Sequence, residues 1–123
     1  MHRASLLIVT ALVESITGLL LLLVPALAVA LLLGASSPAP ETLLVSRIAG
    51  AALLAIGVGC WMARNDHGRA AQLGLLVGVL IYDLAAAALL AYGGLILNMS
   101  GVALWPAVIL HAALAVWCLA CIY

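Results

Sequence analysis

The stretch ASLLIVTALVESITGLLLLLV, residues 4–24, is an apolar run broken by a single acid, Glu14, and stopped by Pro25. Apolar residues do not alternate with polar ones in it, so it reads as a helix rather than as a strand of a membrane β-barrel. At 1.5 Å per residue it is long enough to cross about 30 Å of hydrocarbon. Further runs of the same kind occupy residues 41–63, 70–92 and 103–123. The sequence therefore predicts an all-α integral membrane four-helix bundle, with residues 1–123 forming one transmembrane domain.

Composition points the same way. The 123 residues are 69% hydrophobic and 7% charged, where a soluble domain is about a quarter charged. There is no Lys, and four Arg balance four acids, so no basic patch exists to hold nucleic acid. The first run follows a charged start and ends in VPALA, like a secretory signal, but it is too long for one and carries Glu14, so it reads as a span.

Between the runs the punctuation is clear. Pro25 lacks an amide donor and disfavours a helical residue before it, which predicts a kink or a short interfacial segment over 25–34, closed by Gly34. ASSPAP is a loop, RNDHGR a polar turn and GGLILNMSG the last connection. Arg3, Arg64 and Arg69 cluster at one end of the predicted bundle, so the positive-inside rule puts both termini on the cytoplasmic side of a bacterial inner membrane. Trp61, Tyr92, Trp105 and Tyr123 fall near helix ends, as interfacial aromatics do. NMS at Asn98 reads as a capping Asn rather than a glycosylation site.

The polar residues inside the runs are the functional clues. Glu14 lies ~15 Å into the first run and Asp83 ~20 Å into the third. A charge at such depth costs about 2.5 to 3.5 kcal/mol or more, so these groups face the bundle interior with a partner or a neutralising proton. Arg47 in the second run and His111 in the fourth project into the same central and outer region, which predicts an intramembrane cluster of Glu14, Arg47, Asp83 and His111. The cluster reads either as a set of structural ties or as a proton- or ligand-binding pocket. Thr10, Glu14 and Thr17 share one face of the first helix, and Arg47, Gly50, Leu54 and Gly57 one face of the second.

Cys60, Cys118 and Cys121 read as small hydrophobes, although CLAC places two thiols on one helical face, where intramembrane redox chemistry is the alternative. His2 and His67 read as exposed. No set of residues has metal-ligand spacing along the chain, so no metal and no catalytic residue is assigned. Gly74 with Gly78, and Ala51, Ala55 and Gly59, form small-residue ladders suited to close helix packing.

The segments VESITGLLLLLVPAL, LLLGA, SRIAGAALLAIGVGCW, IYDLAAAALLAY and LWPAVILHAALAV together resemble small uncharacterised four-helix membrane proteins of bacteria, similar in general layout to the DoxX-like group. That resemblance implies a membrane subunit or quinone-side accessory of an oxidoreductase assembly. Glu14 in the first of four short helices is also similar to the proton- and cation-binding carboxylate of small multidrug-resistance transporters, whose Gly-rich third-helix motif this chain lacks.

Two functions follow as expectations. One is a non-catalytic subunit or stabilising accessory of a larger membrane complex, such as a quinone-linked oxidoreductase. The other is a small proton-coupled transporter or hydrophobic-ligand binder using Glu14, Asp83 and His111. Expected partners are the lipid bilayer and other membrane subunits or a second copy. No cofactor motif is present, and quinone or lipid is the class that such an interior would accept.

Overall fold

The computed structural model describes residues 3–66 and 68–123, apart from the side chain of Arg69. His2 and His67, read above as exposed, lie outside the described residues. Among the described residues the secondary structure is all helix, as α1 (Arg3–Leu23), α2 (Pro25–Leu33), α3 (Pro40–Ala63), α4 (Arg69–Leu95) and α5 (Leu104–Ile122). Of these, α1, α3, α4 and α5 are long and apolar enough to cross a membrane.

The break at Pro25 is complete. The Val24 amide closes α1 by donating to the Leu20 carbonyl at 2.9 Å. Pro25 then opens α2 at a first-turn position, where its missing N–H breaks no bond. Gly34 ends α2 in the left-handed conformation, φ 77°, with its amide donating to Ala30. Asn98, φ 56°, makes a second left-handed turn and so acts as a turn residue in the α4–α5 connection. That connection lies against α2. The Ala103 amide donates to the Leu31 carbonyl at 2.8 Å, and Gly101 abuts the Leu32 backbone so closely that a Cβ has no room.

α4 runs to Leu95 rather than stopping near residue 92. Gly93 and Gly94 look like helix breakers in the sequence, but a Cβ on Gly94 would come within 2.9 Å of the Leu104 side chain and 3.0 Å of the Trp105 ring. Packing of Gly94 against the start of α5 holds it in the helix, overriding its weak propensity.

The helices associate as two pairs, α1 with α3 and α4 with α5, while α3 and α4 barely touch. The first pair meets backbone to backbone. A Cβ on Gly18 would lie 2.7 Å from the Gly50 carbonyl oxygen, and one on Gly50 would lie 2.6 Å from that of Gly18. Further along, Gly57 packs on Ala11 and Ser15. By contrast Gly59, Gly74 and Gly78 of the predicted ladders have nothing within 4 Å of where a Cβ would be. The tight contact therefore runs through Gly18, Gly50 and Gly57, and the ladders face away from it.

Arg3 Nε donates to the Cys121 carbonyl at 2.9 Å, which fixes the start of α1 and the end of α5 at the same end of the bundle. The larger core cluster lies at that end and includes Leu6, Leu7, Leu76, Leu114 and Cys118. At the far end a smaller cluster of Leu21, Ala28 and Leu53 leaves space between the pairs.

One substitution made at two sites separates these environments. Gly50→Ala should destabilise the protein by about 1 to 3 kcal/mol through overpacking, whereas Gly78→Ala should be neutral or add up to about 1 kcal/mol from helix propensity. Thermal unfolding in detergent, followed by circular dichroism, reads both. Equal effects would contradict the packing described.

Candidate functional site

Three of the four polar residues singled out in the sequence meet near the middle of the bundle. α4 supplies Asp83, α5 supplies His111 and α1 supplies Glu14. Asp83 and Glu14 are fully buried, and His111 is 8% exposed. His111 Nδ1 and Asp83 Oδ1 share a hydrogen bond of 2.8 Å, with Nδ1–H the donor wherever Asp83 is a carboxylate. The ring is held from a second side by Tyr82, edge-on at 86° with centroids 5.5 Å apart. This geometry leaves His111 Nε2 as the ring nitrogen not engaged by Asp83.

Glu14 is placed differently. A ligand atom from each of Glu14, Asp83 and His111 lies within 4.8 Å of the other two, yet neither Glu14 oxygen has a hydrogen-bond partner among the described residues. The Tyr82 hydroxyl lies beside Glu14 without reaching full hydrogen-bonding geometry. Asp83 Oδ2 and Thr10 Oγ1 are likewise buried and unpartnered. Buried polar atoms left in this state cost about 1 to 3 kcal/mol each, which sets this place apart from the apolar core around it.

Arg47 does not join the group. It is exposed on α3 and makes no ion pair among the described residues. The cause is axial distance. Gly57 packs against Ala11 and Ser15, on either side of Glu14, and Arg47 stands ten residues away, ~15 Å along the helix. Gly50, Leu54 and Gly57 do share a face, and Arg47, about one turn beyond Gly50, is exposed.

Above His111 and Tyr82, toward the far end, lies a cavity of about 530 Å³ lined mainly by aliphatic side chains. Residues from every helix contribute to it. Ala28, Leu31 and Leu32 of α2 form part of its wall, and α2 with the connection seated on it covers that end. Ala49 of α3 and Leu89 of α4 also line it and are exposed. Pro106 and Leu110 of α5 line it too and are exposed, so the cavity opens to the outside of the bundle.

Sequence reading missed Tyr82. A signal existed, because Tyr82 sits in mid-run, away from the helix ends where interfacial aromatics belong. It also assigned no metal ligands, since Glu14, Asp83 and His111 come from three helices with no local spacing to reveal them. Cys60, Cys118 and Cys121 are free thiols buried in the core near the chain termini. Cys118 directs its thiol at the Leu76 carbonyl, 3.8 Å away.

The chain matches no protein-family model, no curated protein and no solved structure.

The Asp83–His111 pair lends itself to a mutant cycle. His111→Leu alone strands Asp83 in the interior and should cost about 3 to 5 kcal/mol, while the double replacement Asp83→Leu with His111→Leu should recover most of that loss. Unfolding of the three variants in detergent tests this, and a double variant as unstable as the single one would overturn it.

Proposed function

We propose that this chain is an integral membrane four-helix bundle that binds a small lipid-soluble molecule in the cavity between its helix pairs, with the polar head of that molecule on His111 and Tyr82. The observation that carries the reading is the cavity itself. An aliphatic space of about 530 Å³ ending on a few polar groups is the general form of a small-molecule site. His111 is suited to receive a head group, because Asp83 fixes its tautomer and leaves Nε2 unengaged.

The ligand class follows from these walls. The aliphatic lining favours an isoprenoid or acyl chain, and a hydroxyl head can donate to His111 Nε2 and accept from the Tyr82 hydroxyl. A quinol, the reduced form of a quinone, meets both requirements, and a quinone-linked role is also what the resemblance to DoxX-like proteins implies. In this reading both termini are cytoplasmic in a bacterial inner membrane, which rests on Arg3, Arg64 and Arg69 gathering at one end of the chain's helices.

A second role, as an accessory of a larger membrane complex, is supported by the groove between α3 and α4 lined by Ile56, Gly74, Leu75, Gly78 and Val79. The glycines there leave room for a helix backbone to approach, so the occupant would be a transmembrane helix of a partner subunit. The two roles are compatible, because the groove and the cavity have no lining residue in common.

Binding of decylubiquinol, kept reduced, to the purified protein in nanodiscs tests the first reading. The wild type should bind it saturably, Ala107→Phe should abolish binding by filling the cavity, and His111→Gln should weaken it about tenfold, by roughly one hydrogen bond. Saturable binding that survives Ala107→Phe in a folded protein would place the ligand elsewhere and defeat the reading.

A further inference from the structure

We infer that Glu14, Asp83 and His111 form a binding site for one divalent first-row transition-metal ion at the base of the cavity, a conclusion that stands whether or not the cavity takes a ligand. Charge is the first argument. Two carboxyl groups are fully buried within a few ångströms of each other. No Arg pairs with either among the described residues, and the chain has no Lys. A divalent cation balances two carboxylates with one bound species.

Geometry is the second argument. Ligand atoms that share a metal at about 2.1 Å stand ~3.0 to 3.5 Å apart. The Asp83 Oδ1 and His111 Nδ1 atoms are already 2.8 Å apart, and all three residues offer atoms within 4.8 Å of one another. Closing the widest separation falls to Glu14, whose side chain has several torsions to turn and whose two oxygens hold no hydrogen bond that must be broken. In the metal-bound form the Asp83–His111 hydrogen bond gives way to two metal bonds, through Nδ1 once its proton has moved to Nε2, or, after a turn of the ring, through the unprotonated Nε2.

The donor set selects the ion. One imidazole nitrogen and two carboxylate oxygens suit Zn²⁺, Fe²⁺, Mn²⁺ or Co²⁺, whereas Mg²⁺ and Ca²⁺ prefer oxygen alone and Cu⁺ prefers sulfur. Cys60 and Cys118 are buried in the adjacent core but do not join the group of ligand atoms. With three protein ligands, at least one coordination position stays open. The cavity, which His111 lines, is where an added ligand would approach it.

The experiment uses the full-length, tag-free protein in nanodiscs, titrated with Co²⁺ and followed by its visible absorption, with Zn²⁺ competition read by elemental analysis. The expected result is one ion per chain, visible bands characteristic of nitrogen and oxygen ligands, and displacement by Zn²⁺. Glu14→Gln and Asp83→Asn should each weaken binding by more than about 100-fold, since even the loss of a supporting hydrogen bond costs about 10- to 100-fold. A variant with Cys60, Cys118 and Cys121 changed to Ala should bind as the wild type does. If a substitution prevents folding, the wild-type spectrum still decides, because sulfur-to-cobalt charge transfer would mean that the thiols hold the ion. Sub-stoichiometric binding, thiol ligation, or full affinity in a folded Glu14→Gln protein would each overturn the site.

Discussion

The backbone contact between α1 and α3 at Gly18 and Gly50 is the constraint on which the arrangement depends. Two helices that meet with no side chain between them have little freedom to roll about their axes. A rotation by one residue, about 100°, would drive a side chain into a carbonyl of the opposite helix. With Gly18 and Ser15 against α3, Glu14 is held to one direction, into the space that Asp83 and His111 share. Four glycine-free turns at this interface would put the helices at an ordinary separation of 8 to 10 Å, and Glu14 would reach less deeply into the bundle.

The two helix pairs treat their polar groups differently. Between α4 and α5, Asp83 and His111 satisfy one another in a direct bond. α1 brings a carboxyl to the same place and leaves it without a partner among the described residues. An interior arranged for stability alone would have an apolar residue at Glu14, because a lone acid in such surroundings is opposed by desolvation and contributes no compensating contact. Its placement beside Asp83 and His111 is what the proposed metal site rests on.

Much of the fold is legible in the sequence because chain punctuation is local. Pro25 lacks its own N–H, and Gly34 tolerates a positive φ, whatever surrounds them, so the break before α2 and the end of α2 can be read directly. The glycine pair at 93–94 misleads, since the packing of Gly94 against Leu104 and Trp105 that keeps α4 intact is long-range. Which faces pack is harder still. Gly50 and Gly78 look alike in sequence, and helices apolar on nearly every side offer no amphipathic stripe to tell inside from outside. For the site, depth along each helix brings Glu14, Asp83 and His111 to a common level, and their rarity in an apolar chain draws the eye. Arg47 shares that rarity without sharing the level, a distinction that rests on the axial register of α3 against α1, which only the packed structure supplies.

The cavity opens to the outside of the bundle beside Ala49, Leu89 and Leu110, and Ala28, Leu31 and Leu32 of α2 form part of its wall. In the bilayer proposed above, such a mouth faces hydrocarbon and not water. Exchange would then be governed by the partition coefficient of the guest. A strongly lipophilic compound accumulates in the lipid phase far above its aqueous concentration, so occupancy would be high even where the intrinsic affinity is modest. A water-soluble compound of the same shape would be excluded before any side chain met it. The membrane would thus act as the first filter of specificity, and the handful of polar groups at the base of the cavity would have only to discriminate among molecules already sorted by solubility.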